Sequence, residues 1–98
     1  MKCSAKMLET IKLLVEIAES NDDDYFEICK AIAIILPSNL KEQMKQLIAN
    51  PVWDGDVISK TARDALLDLD LAVKVCAKGE QGYTAAKPIA FTILKREN

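Results

Sequence analysis

The sequence predicts a mainly helical domain of the α+β class, in which N-terminal helices precede a C-terminal β-hairpin. Apolar residues recur at helical spacing through the first half of the 98-residue chain. Two runs of alternating polarity flank the glycine-containing segment KGEQG, 78–82. Only three glycines and three prolines interrupt the chain, so long loops are not expected. We therefore expect one domain over 1–98, with a helical part at 1–50 and a second part at 53–98.

The first two helices are predicted from apolar spacing and from their end signals. Residues 5–19 repeat apolar side chains every three or four positions. A second helix is expected over about 24–36, because Pro37 pushes the residue before it out of the helical region. Asp24 and Glu27 have the spacing of a capping box at its start.

The second and third helices differ in how their apolar residues are distributed. The second is apolar on nearly every side from Ala31 to Leu36. Such a helix is either buried all round or presents a subunit interface, so a homodimer is one expectation. The third is predicted to begin with a capping box of Asn39 and Glu42 and to end near Asn50.

A break separates the two parts of the chain. Pro51 and the Asp54-Gly55 turn signal lie in the segment NPVWDGD, 50–56. Trp53, the only tryptophan, is expected to fill the joint between the two parts. The alternative is an exposed contact for a partner.

The second part is predicted to contain a helix, a hairpin and a terminal element. A helix over 59–70 has Ser59 as its N-cap. A half-buried strand follows, and KGEQG at 78–82 supplies a five-residue loop. The terminal segment 88–96 fits a helix with Pro88 at its first position, which we favour, but a strand remains open. The residues expected on the buried side of the strand are Val73, Val75 and Ala77.

A helix that runs directly into a hairpin is the arrangement of a winged helix-turn-helix unit, and three motifs support this interpretation. They are WDGD at 53–56, SKTARDAL at 59–66 with the following Leu69-Asp70-Leu71 passage, and KGEQGYTA at 78–85. These motifs resemble the C-terminal part of small winged-helix-like proteins encoded by phages and prophages. The resemblance covers under half of the chain and includes no catalytic motif.

The resemblance implies a winged-helix fold and a phage or mobile-element protein acting in the cytoplasm of a bacterial host. In winged-helix proteins the helix before the hairpin reads DNA, and the wing contacts the backbone. Five cations would be the phosphate contacts in that case. They are Lys60, Arg63, Lys74, Lys78 and Lys87. Lysines beside a hairpin also protect edge strands from aggregation, so this signal is weak.

The candidate recognition helix has a mixed exposed face. The face opposite its apolar stripe holds Lys60, Arg63, Asp64, Leu67 and Asp68. The carboxylates of Asp64 and Asp68 would repel DNA phosphates. An exposed Leu67 surrounded by charged residues is instead typical of a protein contact. A third interpretation is purely structural, with Leu67 covered by the first helices and the charges paired along the helix.

The amino-acid composition limits which kinds of functional site are expected. The net charge is −2, although the last 25 residues have five cations and two acids. The chain has no histidine and three widely spaced cysteines, so we expect no catalytic residues, metal site, disulfide or cofactor. Cys29 and Cys76 are expected to be small core or half-core residues. The acids of Asp22 to Asp24 suit a helix N-terminus better than a cation site.

The sequence thus predicts a non-enzymatic protein that binds a macromolecule. No segment has the length and apolarity of a signal peptide or a membrane span, so we expect a soluble intracellular protein with no membrane partner. The first expectation for a partner is a host protein, with the chain acting as an inhibitor, for example of a bacterial defence complex. The alternative is a DNA-binding transcriptional regulator that contacts duplex DNA.

Overall fold

A computed structural model describes residues 5–96 and confirms the α+β class. The described chain forms five α-helices and one three-stranded antiparallel sheet of strand order β1-β3-β2. The helices are α1 (Ala5–Ser20), α2 (Tyr25–Ile35), α3 (Ser38–Ala49), α4 (Lys60–Asp68) and α5 (Pro88–Arg96). The strands are β1 (Val52–Trp53), β2 (Ala72–Ala77) and β3 (Glu80–Ala86).

All five helices contribute to one apolar core, which lies against one face of the sheet. Each helix buries at least one large apolar side chain completely, because its apolar residues share one stripe. These side chains are Ile11, Ile32, Met44, Leu66 and Ile93. The sheet closes the core with Ala72 and the fully buried Thr84. The helical core therefore fixes which face of the hairpin remains outside.

The predicted side-chain cap is confirmed for α4, and the predicted capping boxes of α2 and α3 are wrong. The Ser59 side chain accepts a hydrogen bond of 3.1 Å from the Ala62 nitrogen at the start of α4, as expected of an N-cap. Asp24 makes no such bond at the start of α2. The turn before α2 is instead closed by the side chain of Asn21, which accepts from the Asp23 nitrogen at 3.1 Å.

The second wrong capping box is that of α3. Asn39 already lies inside the helix, which begins at Ser38 with Pro37 in the capping position. The Pro37 carbonyl accepts from the nitrogens of Leu40 and Lys41, both at 3.1 Å. Pro37 thus supplies the extended backbone that the start of the helix needs, without a side-chain bond.

The terminal element is the helix α5, and Pro88 occupies its first position, as favoured from the sequence. The hairpin is confirmed, but its loop is shorter than predicted. Ala77 pairs with Glu80, so only Lys78 and Gly79 form the turn. Both have positive φ, 53° and 76°, which is the requirement of a type I′ turn.

The expected burial of β2 is only partly confirmed. Val75 and Ala77 are half-buried, but Val73 is 44% exposed. On the other face Ala72 is buried, whereas Lys74 and Cys76 are exposed. Alternation identifies the two faces of a strand, but it does not say which face the helices cover. The pairing of β1 with β3 decides this, since it places Val52 beside the buried Thr84.

The connection between α3 and α4 differs from a helix-turn-helix. It runs over 50–59 and includes β1, whereas that motif uses about three or four residues. No helix within residues 5–96 combines the length and apolarity needed to cross a membrane.

Candidate functional site

The carboxylate of Asp54 is the centre of a polar cluster where the sheet meets α4. Lys74 on β2 places its Nζ 2.6 and 2.7 Å from the two oxygens of this carboxylate. Arg63 on α4 places its Nη1 3.3 Å from Oδ1, and the Thr84 hydroxyl donates to the same oxygen at 3.3 Å. We call Asp54, Arg63, Lys74 and Thr84 the Asp54 cluster. It ties three separate elements to one carboxylate.

Two cations and a hydroxyl change the acidity of that carboxylate. The hydrogen bond from Lys74 lowers the pKa of Asp54 below its ordinary 3.8, and the charges of Lys74 and Arg63 act in the same direction. The Asp54 carboxylate therefore stays ionised at neutral pH and holds both cations in place.

A pair of glutamines on α3 positions the segment that leads into α4. The fully buried Gln43 accepts from the Ser59 nitrogen at 2.8 Å and donates to Gln46 Oε1 at 2.7 Å. Gln46 in turn accepts from the Ile58 nitrogen at 3.0 Å and donates to the Asp56 carbonyl at 2.9 Å. These bonds fix the start of α4, and with it Arg63.

The position of Gln43 in the sequence indicates that its side chain is buried and hydrogen-bonded. Gln43 lies in the apolar stripe of Leu40, Met44 and Leu47, at the spacing of a core position. A polar side chain at such a position is expected to have a partner inside the protein. The role of Asp54 was also missed, because it was assigned only to a turn.

Three of the five candidate phosphate contacts are bonded to carboxylates within the chain. The Arg63 side chain is only 13% exposed and also binds Asp64, with Nη2 2.8 Å from Oδ1. Lys74 is held by Asp54. Lys87 lies 2.9 Å from Asp70 and 3.4 Å from Glu19. The bond to Asp70 is the main cause of the raised pKa of Lys87.

The other predicted site residues lie on α4 and at the hairpin tip. Lys60 and Lys78 are exposed, and neither joins a salt bridge within residues 5–96. Asp68 is exposed at the far end of α4, with Lys12 of α1 3.9 Å away. Leu67 is half-buried against the core, so it is not the exposed centre of a charged ring. The predicted partner-binding residues and phosphate contacts, eight residues in all, therefore do not form one site in the structure.

The outer face of the sheet presents an apolar surface instead. We call Trp53, Val73, Val75 and Tyr83 the outer sheet patch. Strand pairing places Trp53, Tyr83 and Val75 side by side, with the Trp53 and Tyr83 rings in edge contact at 5.5 Å. Trp53 is 42% exposed, so the prediction that it fills the joint is wrong.

Two glycines hold the Trp53 ring in place. A Cβ at Gly82 would lie 2.8 Å from Trp53 Cζ3, and one at Gly55 would lie 3.0 Å from Nε1. The indole thus occupies space that any other residue at Gly82 would fill. Gly82 also has a φ of 97°, which other residues rarely adopt. The exposed ring therefore lies directly against these two glycines.

An open cleft of about 460 Å³ lies beside the Asp54 cluster and the outer sheet patch. It is lined by Asp54, Lys74, Cys76 and Gly82.

The Cys76 thiol is exposed, contrary to expectation, whereas Cys29 is buried as expected. Cys3 lies outside the described residues. Within residues 5–96, no group of three histidine, cysteine or acidic side chains is arranged to hold a metal ion.

Comparison with known proteins yields no relative on which to base a class. No family model, no curated protein and no solved structure matches this chain.

Proposed function

We propose that this chain is a non-enzymatic module that binds another protein, with the outer sheet patch as its contact surface. One observation supports this most strongly. Arg63, Lys74 and Lys87, three of the five candidate phosphate contacts, are bonded to carboxylates of the same chain. Phosphate binding would have to break those bonds, and the charge it needs is already neutralised.

The outer sheet patch has the properties of a protein contact. Tryptophan and tyrosine are enriched among residues that dominate binding energies. Trp53 is 42% exposed and Val73 is 44% exposed on a regular sheet. Because the Trp53 ring is packed against Gly55 and Gly82, its ordering costs little entropy on binding.

The resemblance to phage and prophage proteins favours a host protein as the partner and inhibition as the outcome. The side chains of Asp64 and Asp68 on α4 are 65% and 76% exposed. Exposed acids accelerate association with a basic partner at low salt.

The test is affinity capture followed by quantitative binding. The wild-type chain, Trp53→Ser and the control Leu13→Ser are used as baits in a bacterial lysate. Leu13 is 58% exposed on α1, so its replacement tests nonspecific apolar binding. A protein lost only with Trp53→Ser is purified and titrated by calorimetry. We expect Trp53→Ser to weaken its binding at least tenfold. Equal affinity of the three baits would contradict the proposal.

A DNA-binding regulator is the second candidate. It is favoured by the order of α4 and the hairpin and by the exposed Lys60 and Lys78. The test is fluorescence anisotropy of mixed duplex DNA at low and physiological salt. Binding that weakens steeply with salt, and is reduced by Lys78→Gln but not by Lys45→Gln, would support it. The absence of binding at low salt would exclude it.

A further inference from the structure

A second exposed apolar surface lies on two helices, away from the sheet. Ile34 of α2 is 75% exposed, Phe26 of α2 is 56% exposed and Phe91 of α5 is 47% exposed. We call the surface formed by Phe26, Glu27, Lys30, Ile34 and Phe91 the α2–α5 face. Three large apolar side chains on adjacent helices exceed the scattered exposure that is normal for a surface. The expectation that α2 is buried all round is thus wrong, and its alternative, an interface, remains.

The α2–α5 face contains both a projection and a depression. An open cleft of about 690 Å³ lies beside Phe26, Phe91, Thr92 and Lys95. Ile34 projects from the same helix two turns further on, roughly 12 Å away at 1.5 Å per residue. A two-fold axis brings the projection of each copy to the depression of the other. Such a face satisfies the condition for an isologous, closed interface.

The charged residues of this face are complementary to the same residues of a second copy. Glu27 and Lys30 are both exposed and lie one helical turn apart on α2. Within residues 5–96 neither of them joins a salt bridge. A two-fold axis perpendicular to α2 that passes between Ile28 and Cys29 makes the two α2 helices antiparallel. Glu27 then lies opposite the partner's Lys30, and Lys30 lies opposite the partner's Glu27. In that register Ile34 lies about 4.5 Å along the helix from the partner's Phe26, at 1.5 Å per residue.

We propose that the occupant of the α2–α5 face is a second copy of this chain, docked with the two α2 helices antiparallel. The interface consists of Ile34 in the cleft beside Phe26 and Phe91, flanked by two reciprocal Glu27–Lys30 ion pairs. This surface is separate from the outer sheet patch. A dimer therefore presents two copies of that patch to other partners.

The first test measures molar mass by sedimentation equilibrium over a range of concentrations. We expect the wild-type chain to dimerise and Ile34→Asp to raise the dimer dissociation constant at least tenfold. Leu13→Asp is the matched control, because it adds the same charge at an exposed apolar position of α1 and should leave the constant unchanged. Circular dichroism checks that both variants keep their helices. A wild-type chain that is monomeric up to about 1 mM would overturn the proposal, since it limits the association energy to about 4 kcal/mol.

The second test examines the antiparallel arrangement. Glu27→Lys places two lysines on each α2, and Lys30→Glu places two glutamates there, so each variant alone should dimerise at least tenfold more weakly. An equimolar mixture of the two should form a heterodimer, because each lysine then faces a glutamate. Native mass spectrometry separates the species by mass. A mixture that stays monomeric while the wild type dimerises would overturn the proposed pairing.

Discussion

The side-chain oxygen of Gln43, a residue with no exposed surface, accepts a 2.8 Å hydrogen bond from the backbone nitrogen of Ser59. This bond joins α3 to the residue that caps α4. Helix α4 supplies Arg63 to the Asp54 cluster, so one buried amide fixes the relation between the helical core and the cluster.

Replacing Gln43 with Leu should destabilise the protein by roughly 1–3 kcal/mol, because the Ser59 nitrogen loses its acceptor in a partly buried place. Urea denaturation measures the free energy of unfolding. Hydrogen exchange at the Ser59 amide should accelerate more than exchange in the middle of α3. Lys45→Leu, at an exposed position of the same helix, is the control and should change neither quantity. Unchanged exchange at Ser59 would show that the bond does not hold the cap.

Replacing Asp54 with Asn should reduce the stability at neutral pH and remove part of the loss of stability in acid. The pKa of Asp54 is lowered in the fold, so its contribution is complete above its ordinary 3.8. The contribution disappears as the pH falls through the lower folded value. Urea denaturation from pH 6 down to about pH 2.5 should therefore show the wild type and the variant converging below the ordinary value. Asp56→Asn, an exposed acid in the same turn, should not show this convergence.

Replacing Lys78 with Asn should stabilise the hairpin by roughly 0.5 kcal/mol, because asparagine adopts positive φ more readily than lysine. Replacing the same residue with Val should destabilise it, since a β-branched residue is strained at a φ of 53°. Thermal unfolding followed by circular dichroism gives both changes. Two shifts of the same sign would argue against the type I′ turn.

Replacing Gly82 with Ala should displace the Trp53 ring, because the new methyl group would lie 2.8 Å from Cζ3. Trp53 is the only tryptophan, so its emission spectrum and its quenching by acrylamide report the change directly. Gly79→Ala is the matched control. It has a similar backbone strain, with a φ of 76°, but no neighbour within 4 Å of the added carbon. We expect altered fluorescence only for Gly82→Ala, and identical spectra would show that Gly82 does not support the ring.

The positions of the helices and of the hairpin could be predicted because their signals are local. The N-cap role of Ser59 and the first helical position of Pro88 each depend on a few consecutive residues. The capping boxes failed for a related reason. Asp24 and Asn39 have the correct spacing, but the Asp24 side chain makes no capping bond, and Pro37 occupies the capping position of α3. A spacing rule does not determine which of several neighbouring groups makes the bond.

The candidate site was predicted less well, because its geometry depends on contacts between residues far apart in the chain. Arg63 and Lys74 were identified as cations available to phosphate. In the structure both bind Asp54, which is 9 residues from Arg63 and 20 from Lys74. No local pattern indicates that pairing.

The sequence by itself determined the α+β class, the order of the first four helices and the hairpin, and the alternating faces of the hairpin, because these follow from backbone preferences and apolar spacing. The short strand β1 was not predicted. The tertiary structure alone decided which faces are covered. Pairing of β1 with β3 directs Thr84 into the core and leaves Trp53 and Val73 outside. Packing of α2 against α1 and α5 leaves Ile34 exposed. Burial is a property of the assembled layers, and so it cannot be assigned to a strand or helix considered alone.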